Sequence, residues 1–262
     1  MPADALIEIE ALSKSFDGGQ SFALRDASIT VKPGAFVAVV GGSGSGKTTL
    51  LKSINRLIEP DLGEVRIEGE PVGRADPPAL RRRIGYVFQD IGLFPHMSVA
   101  ENIGITPQLL GWPQQEIAAR AAELLDLVDL PQSYGPRLPA ALSGGERQRV
   151  GVARAIAARP KIVLMDEPFG ALDPITRDAL GSAYRALHEK LMLTSIMVTH
   201  DVQEAVLLAD EIVVMKRGRV LAQDIPRALL SDEAHPDVRA LMAMPKRQAE
   251  RIRAAMGEGE RP

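Results

Sequence analysis

Alternating and fully apolar segments along the chain predict an α/β fold. Apolar and polar residues alternate over residues 6–10, 27–31 and 64–68, which indicates half-buried strands in the first part of the chain. Other runs are almost wholly apolar, as is typical of strands buried on both faces of a parallel sheet. These runs cover residues 36–40, 84–88, 161–165, 194–198 and 211–215. We therefore expect a parallel-sheet core that is accompanied by an N-terminal β-layer.

Between residues 90 and 159 the pattern changes to that of helices. Ser98 and Glu101 fit a capping box, and Pro113 opens a segment whose apolar residues recur at helical spacing. We expect this block to be a helical subdomain inserted into a domain that spans residues 6–225, with a core formed by residues 6–89 and 160–225. A short helical tail is expected over residues 226–262, with fraying after Gly257.

A glycine-rich segment follows the strand at residues 36–40 and fits the pattern G-x-x-x-x-G-K-[ST]. Its residues are Gly41, Gly42, Ser43, Gly44, Ser45, Gly46, Lys47 and Thr48, and a helix is expected to start at Thr49. Glycines allow successive backbone N–H groups to turn toward phosphate oxygens. Lys47 supplies a positive charge for the β- and γ-phosphates, and the Thr48 hydroxyl can hold Mg²⁺. The alternative is a glycine-rich turn that matches the pattern by accident. Such a turn would not need a strand before it and a helix after it, and this segment has both. The segment therefore predicts binding of a nucleoside triphosphate.

The strand at residues 161–165 ends in two carboxylates, Asp166 and Glu167. A phosphate loop works together with a second strand end that supplies a carboxylate for the metal. We expect Asp166 to face Mg²⁺ through water and Glu167 to orient or deprotonate the attacking water. The alternative is a strand that ends in a solvated acidic turn.

Residues 142–149, just before that strand, read LSGGERQR. Ser143 and Glu146 fit a capping box for a helix expected over residues 147–159, while Ser143, Gly144 and Gly145 form a helix start that is suited to an anion. The phosphate loop, the LSGG segment and the LMDE strand, in this order, resemble the nucleotide-binding subunits of ATP-binding-cassette (ABC) transporters over residues 6–225. The resemblance implies a P-loop NTPase (RecA-like) core with an N-terminal antiparallel β-layer and an inserted α-helical subdomain, and ATP and Mg²⁺ as cofactors. Glu146 stands where the family has glutamine.

The resemblance assigns roles to four further residues. Gln89 matches a lid glutamine that reaches Mg²⁺ and the attacking water, and His200 matches a switch histidine that contacts the γ-phosphate. Asp173 matches the acid of a loop that crosses between subunits, and Phe16 lies where an aromatic ring stacks on adenine. Local alternatives stay open, since Asp173 and Asp201 are good helix N-caps and Phe16 could belong to the core.

The resemblance also implies partners. In the family, ATP is enclosed between the phosphate loop of one subunit and the LSGG segment of another, so a dimer with a second nucleotide-binding subunit is implied. Transmembrane permease subunits and a substrate-binding protein are implied as well, with the chain at the cytoplasmic face of the membrane.

Residues 91–103 and 167–177 are most similar to those of importers of quaternary-amine osmoprotectants such as glycine betaine, choline or carnitine. The alternatives are a transporter for another small solute and a soluble ABC ATPase outside transport. Apolar residues within 91–103 are expected either to receive the permease or to lie in the core of the subdomain.

Composition adds exclusions to this interpretation. A net charge of −3, from 31 basic and 34 acidic residues, gives no electrostatic case for nucleic-acid binding. The chain has no cysteine, which excludes disulfides and thiolate metal sites. No uncharged apolar run approaches the roughly 18 residues of a membrane span, and the first residues lack the pattern of a signal peptide. We therefore expect any link to a membrane to run through a partner.

Overall fold

The computed structural model describes residues 5–231, 234–244, 247, 250–251 and 253. The strands of the described chain are Ile7–Lys14 (β1), Leu24–Val31 (β2), Phe36–Val40 (β3), Leu62–Ile67 (β4), Glu70–Pro71 (β5), Ile84–Val87 (β6), Ile162–Asp166 (β7), Thr194–Val198 (β8), Glu211–Lys216 (β9) and Arg219–Asp224 (β10). The α-helices are Lys47–Ile54 (α1), Pro77–Arg82 (α2), Val99–Leu109 (α3), Gln114–Leu127 (α4), Gly144–Ile156 (α5), Pro174–Leu191 (α6), Val202–Leu208 (α7), Pro226–Leu229 (α8) and Pro236–Met242 (α9).

The strands form two sheets, as the sequence predicts. The first is antiparallel, with the order β2-β1-β4-β5. The second has the order β10-β9-β3-β8-β7-β6, in which neighbours from β9 to β6 are parallel and β10 is antiparallel to β9. Because β3, β8 and β7 are successive parallel neighbours, their carboxyl ends meet at one edge of the sheet, where open α/β sheets bind their ligands. The predicted combination of an antiparallel β-layer with a parallel-sheet core is confirmed.

Side chains of the central strands separate into two apolar clusters, one on each face of the parallel sheet. In β3, Phe36, Ala38 and Val40 belong to one cluster, whereas Val37 and Val39 belong to the other. This split follows from the two-residue repeat of a strand, which sends successive side chains to opposite faces. Full burial of a large apolar side chain stabilises the fold by about 1.5–3 kcal/mol. A strand that is buried on both faces therefore holds the attached loops in a fixed position.

The helical block packs on one of these clusters. Ile103 of α3, Leu124 of α4 and Val150 of α5 are all fully buried in it. The capping boxes predicted at Ser98 and Ser143 are both confirmed. The helix expected over residues 147–159 instead runs from Gly144 to Ile156. It starts earlier because a residue that follows the N-cap is already the first helical residue.

A buried polar network joins α6 to the parallel sheet. Tyr184 and His188 of α6 both bond the Ser195 hydroxyl of β8, at 2.8 Å to Oη of the tyrosine and 2.9 Å to Nδ1 of the histidine. His188 Nε2 lies 3.2 Å from the carbonyl oxygen of Gly34. A carbonyl can only accept, so Nε2 carries the proton and Nδ1 accepts from Ser195. The geometry therefore fits a neutral imidazole, and burial, followed by the charge of Arg185, lowers the pKa of His188.

The C-terminal part of the described chain contains α8 and α9, in line with the expected helical tail. Val238 and Met242 of α9 are buried against the core, and Asp237 pairs with Lys216 at 2.7 Å. The fraying expected after Gly257 falls outside the described residues. Among the described helices, none combines the length and the apolar character that a membrane crossing requires.

Candidate functional site

The glycine-rich loop connects β3 to α1 at the carboxyl edge of the parallel sheet. Gly46, the residue before α1, has a φ of 98°, and a Cβ at this position would clash with the carbonyl oxygen of Ala23. A Cβ at Gly41 would similarly clash with the carbonyl oxygen of Met215. The turn after β9 adds a hydrogen bond from the Gly218 amide to the carbonyl oxygen of Ser45, at 3.0 Å. Glycine is thus required here because other backbone segments approach the loop closely.

Lys47 lies within the loop that it is expected to serve. Its Nζ donates to the carbonyl oxygens of Gly41 at 2.9 Å and Gly42 at 3.2 Å, and the residue is 7% exposed. Burial lowers the pKa of this ammonium, and the nearby carboxylates of Glu167 and Asp166 oppose that shift. The two carbonyl contacts hold the Lys47 side chain across the loop, where its ammonium group can bind an anion.

A cavity of about 420 Å³ lies over the loop. Its walls are formed by Ala23, Ser43, Gly44, Ser45, Gly46, Lys47, Thr48, Thr49, Glu167 and His200. The Ser45 hydroxyl is buried beside this cavity and has no hydrogen-bond partner among the described residues. Backbone amides at a helix start, a lysine and an unpartnered hydroxyl are suited to phosphate oxygens.

The Thr48 hydroxyl and the Asp166 carboxylate are brought together from α1 and β7. Thr48 Oγ1 donates to Asp166 Oδ1 at 2.9 Å, although 118 residues separate the two in sequence. The other carboxylate oxygen, Oδ2, lies 3.9 Å from Nζ of Lys52, one turn further along α1. Asp166 is 5% exposed and is therefore desolvated as well as paired. Lys52 is not predictable from the sequence, since nothing in its immediate surroundings distinguishes it from a surface lysine.

Glu167 and His200 form a second pair at the mouth of the cavity. His200 Nδ1 lies 3.2 Å from Glu167 Oε2, and the imidazole is largely exposed, whereas the carboxylate is mostly covered. Glu167 has a left-handed backbone with a φ of 46°, and its amide donates to the carbonyl oxygen of Val198 at 2.9 Å. A non-glycine residue in this region costs free energy, and such residues cluster at functional sites. The solvated acidic turn that was the alternative for Glu167 does not describe this placement.

Several predicted site residues do not line this cavity: Gly41, Gly42, Asp166, Gln89, Phe16, Asp173 and the LSGG segment. Gln89 is exposed two residues beyond β6. Phe16 is 66% exposed in the loop after β1, so the alternative that it belongs to the core is wrong. Asp173 is exposed and caps α6 by accepting from the amides of Ile175 and Thr176. Hydrogen bonds from Thr176 and Ile175 hold the pKa of the Asp173 carboxyl below its ordinary value.

Glu146, which stands where the resemblance implies a glutamine, forms hydrogen bonds at the start of α5. Glu146 Oε2 accepts from the Ser143 amide at 2.7 Å, and Glu146 Oε1 accepts from the Tyr134 hydroxyl at 2.8 Å. The Ser143 hydroxyl in turn accepts from the Glu146 amide at 3.3 Å. Both carboxylate oxygens therefore serve the helix start, and together these hydrogen bonds lower the pKa of Glu146. The amides of Gly144 and Gly145 remain at the exposed end of the helix dipole.

Comparisons with known proteins agree with this geometry. The family described as ABC transporter matches residues 24–170. The chain is 48% identical to the choline transport ATP-binding protein OpuBA of Bacillus subtilis over 229 residues, which are 87% of this chain and 60% of that protein. It is 47% identical over 234 residues to the glycine betaine uptake system ATP-binding protein YehX of Escherichia coli, covering 89% of this chain and 75% of that protein. The chain thus spans about 60% of the length of the first of these relatives.

Among solved structures, the chain is similar to the ATP-binding cassette MJ0796 in a dimeric post-hydrolysis state bound to ADP and Pi. The TM-score is 0.75 at 32% sequence identity, and the match covers 84% of this chain and 98% of that chain. The expected P-loop NTPase fold with an added β-layer and helical block is therefore confirmed by structural comparison as well.

Proposed function

The chain belongs to the ABC transporter family, and from that premise we propose that it is the ATP-binding and ATP-hydrolysing subunit of an importer. The observation that carries this proposal is the cavity over the phosphate loop. Its walls combine groups that bind phosphate, Lys47 and the loop amides, with a carboxylate and an imidazole, Glu167 and His200. Phosphoryl transfer needs this combination, because catalysis consists mainly of positioning and charge stabilisation.

The donor set at the loop fits Mg²⁺. Thr48 and Asp166 offer hard oxygen ligands 2.9 Å apart, and among the described residues no group of three or more His, Cys, Asp or Glu side chains could hold a metal ion. Magnesium is commonly bound in this way, by one or two protein oxygens together with substrate phosphates and water. In this proposal Thr48, Asp166 and Gln89 would hold the ion, which would neutralise charge on the phosphates.

The proposed mechanism assigns one step to each residue. Lys47 and the amides of the phosphate loop bind and orient the β- and γ-phosphates. Glu167 accepts a proton from the attacking water as the water oxygen bonds to the γ-phosphorus and the bond to ADP breaks. His200 donates to Glu167 Oε2 through Nδ1 and so orients the carboxylate. The products are ADP and inorganic phosphate.

A second nucleotide-binding subunit completes this site. Ser143, Gly144, Gly145 and Asp173 do not line the cavity of their own chain, yet the start of α5 offers amides and a positive helix end. We infer that these groups cover the ATP held by the other subunit, as the dimeric form of the similar cassette supports. ATP then favours the closed dimer because it binds both faces only in that state, and hydrolysis lets the dimer open. In this proposal the exposed ring of Phe16 stacks on the adenine.

A groove beside the helical block is the proposed contact with the permease. It has a volume of about 400 Å³ and includes Leu57, Phe88, Phe94 and Leu109 in its walls, all of which are more than 40% exposed. Val99 and Ile103 of the same stretch are instead fully buried. Val99 and Ile103 therefore lie in the core of the subdomain, whereas the exposure of Phe94 supports the proposed contact with the permease. Docking at this groove would place the chain at the cytoplasmic face of the membrane.

Quaternary-amine osmoprotectants are the proposed cargo. The support is similarity to relatives named for choline and glycine betaine transport, and a substrate-binding protein would deliver the cargo to the permease. The test is uptake of radiolabelled glycine betaine and choline by proteoliposomes that contain the chain with its permease, with sulfate as the control solute. ATP-dependent uptake of the amines alone is the expected result. Uptake of sulfate instead would refute the cargo, whereas a purified chain that neither bound nor hydrolysed Mg-ATP would refute the whole proposal.

A further inference from the structure

The hydroxyl group of Tyr86 is buried without a partner. Within the described residues it makes no hydrogen bond of ordinary geometry. An unsatisfied buried hydroxyl costs about 1–3 kcal/mol, and such a group in a native fold calls for an explanation. Tyr184, by comparison, is also buried but bonds Ser195 at 2.8 Å.

The Tyr86 side chain lies on the same face of the sheet as Asp166. In the parallel pairing of β6 with β7, Tyr86 is opposite Leu164, and Asp166 follows Leu164 by two residues, so both point to one face. Diagonal neighbours of this kind are within reach of a tyrosine. Burial, then the charge of the Asp166 carboxylate, and then a hydrogen-bonding contact with it, raise the pKa of the Tyr86 hydroxyl. The two groups are therefore close, although their contact does not reach ordinary hydrogen-bond geometry.

The Asp166 carboxylate can accept the missing bond. In this structure Oδ1 accepts from Thr48 and Oδ2 lies 3.9 Å from Lys52 Nζ. A carboxylate offers about four acceptor positions, so these two contacts together leave acceptor positions of Asp166 unused. An acceptor position of Asp166 therefore remains for the Tyr86 hydroxyl.

Tyr86 also lines the proposed permease groove. Tyr86 and Phe88 both line that groove, and their ring centroids are 4.5 Å apart. Phe88 is 43% exposed, so an occupant of the groove would touch it directly. One side chain thus joins the groove wall to the carboxylate that is expected to serve the metal.

We propose that Tyr86 is a positioning residue of the magnesium site, whose hydroxyl donates to Asp166 in the metal-loaded state and makes metal affinity depend on occupancy of the groove. This inference rests on the proposed function, since it assumes that Asp166 serves Mg²⁺. Coupling of this kind is reciprocal, so bound metal also favours the docked arrangement of the groove. Outer-shell partners of metal ligands typically change metal affinity about 10–100-fold when removed.

The test is Tyr86→Phe, which removes the hydroxyl and keeps the ring in the groove wall. Binding of a fluorescent ATP analogue is titrated with Mg²⁺ in the Glu167→Gln background, so that no turnover is needed. The half-saturating Mg²⁺ concentration should rise about 10-fold or more, while affinity for the analogue in EDTA should not change. Tyr184→Phe is the control, because it removes a buried hydroxyl that bonds Ser195 rather than Asp166 and should leave the Mg²⁺ requirement unchanged.

A second arm repeats the titration with the permease-bound transporter. The Mg²⁺ requirement of the Glu167→Gln parent should differ between the isolated chain and the complex, and Tyr86→Phe should reduce that difference. Equal Mg²⁺ requirements for parent and Tyr86→Phe would overturn the positioning role, and an equal shift on docking would overturn the link to the groove. If the parent failed to bind the analogue with Mg²⁺, the proposed function itself would be refuted, an outcome distinct from both.

Discussion

Replacing Glu167 with glutamine isolates the chemistry of one carboxylate. The left-handed backbone at this position is held by the hydrogen bond from the Glu167 amide to the carbonyl oxygen of Val198, which does not involve the side chain. The amide oxygen of glutamine can still accept from His200 Nδ1, so the 3.2 Å contact has a substitute. The variant therefore keeps the shape of the cavity and loses the group that accepts a proton.

The size of the effect follows from that loss. A positioned acid–base group contributes typically about 10²–10⁴ to the rate, which corresponds to about 2.7–5.4 kcal/mol of activation free energy. ATP affinity should be retained or increased, because the variant removes a negative charge from the wall that faces the triphosphate. Burial lowers the pKa of Lys47, and the Glu167 carboxylate opposes that shift. In the variant Lys47 keeps its contacts with the two loop carbonyls.

The assay is steady-state ATP hydrolysis together with titration of a fluorescent ATP analogue. Glu189→Gln serves as the control, because Glu189 is an exposed carboxylate of α6 that pairs with Arg185 at 2.9 Å, outside the cavity. The control should turn over at the wild-type rate. Wild-type turnover in Glu167→Gln would refute the assignment of Glu167, and loss of nucleotide binding would show that the carboxylate acts in binding instead.

Three further predictions concern binding, stability and coupling. Lys47→Ala should weaken ATP binding about 10–100-fold, the worth of a hydrogen bond to a charged group, and unchanged affinity in the same titration would contradict the loop assignment. The pKa of His188 is lower in the folded than in the unfolded state, so the unfolded state binds more protons and the free energy of unfolding should fall as the pH drops below about 6.5. Urea denaturation from pH 8 to 5 (roughly the titration range of histidine) should show a shallower fall for His188→Gln, and identical slopes would exclude this histidine as the cause. Phe94→Ala should reduce transport while the ATPase activity of the isolated chain stays close to wild type, because the ring is 42% exposed in the groove; equal loss of both activities, measured on the same preparation, would instead indicate a packing role.

Much of the site followed from local sequence because its parts are local structures. The phosphate loop needs glycine where Ala23 and Met215 approach, and that requirement leaves a fixed spacing in the sequence. The two capping boxes are likewise contained within four residues each, and both were predicted correctly. The glutamate that replaces the family glutamine was visible as a departure, but its bond to Tyr134 joins residues twelve positions apart and could not be deduced from the motif.

The sequence by itself determined the strands, the two capping boxes and the order of the motifs, since these depend on residue periodicity and on hydrogen bonds between close neighbours. The expected helix starts at Thr49 and at residue 147 were late by two and three residues, because α1 begins at Lys47 and α5 at Gly144. Only the tertiary structure decided which of these pieces meet. It places Thr48 against Asp166 and Glu167 against His200, and it leaves Gln89 and Phe16 outside the cavity walls. It also buries the Tyr86 hydroxyl without a hydrogen bond of ordinary geometry to any described residue. The strand order brings these groups together through burial of apolar side chains that many strands share, so no local pattern encodes the pairing.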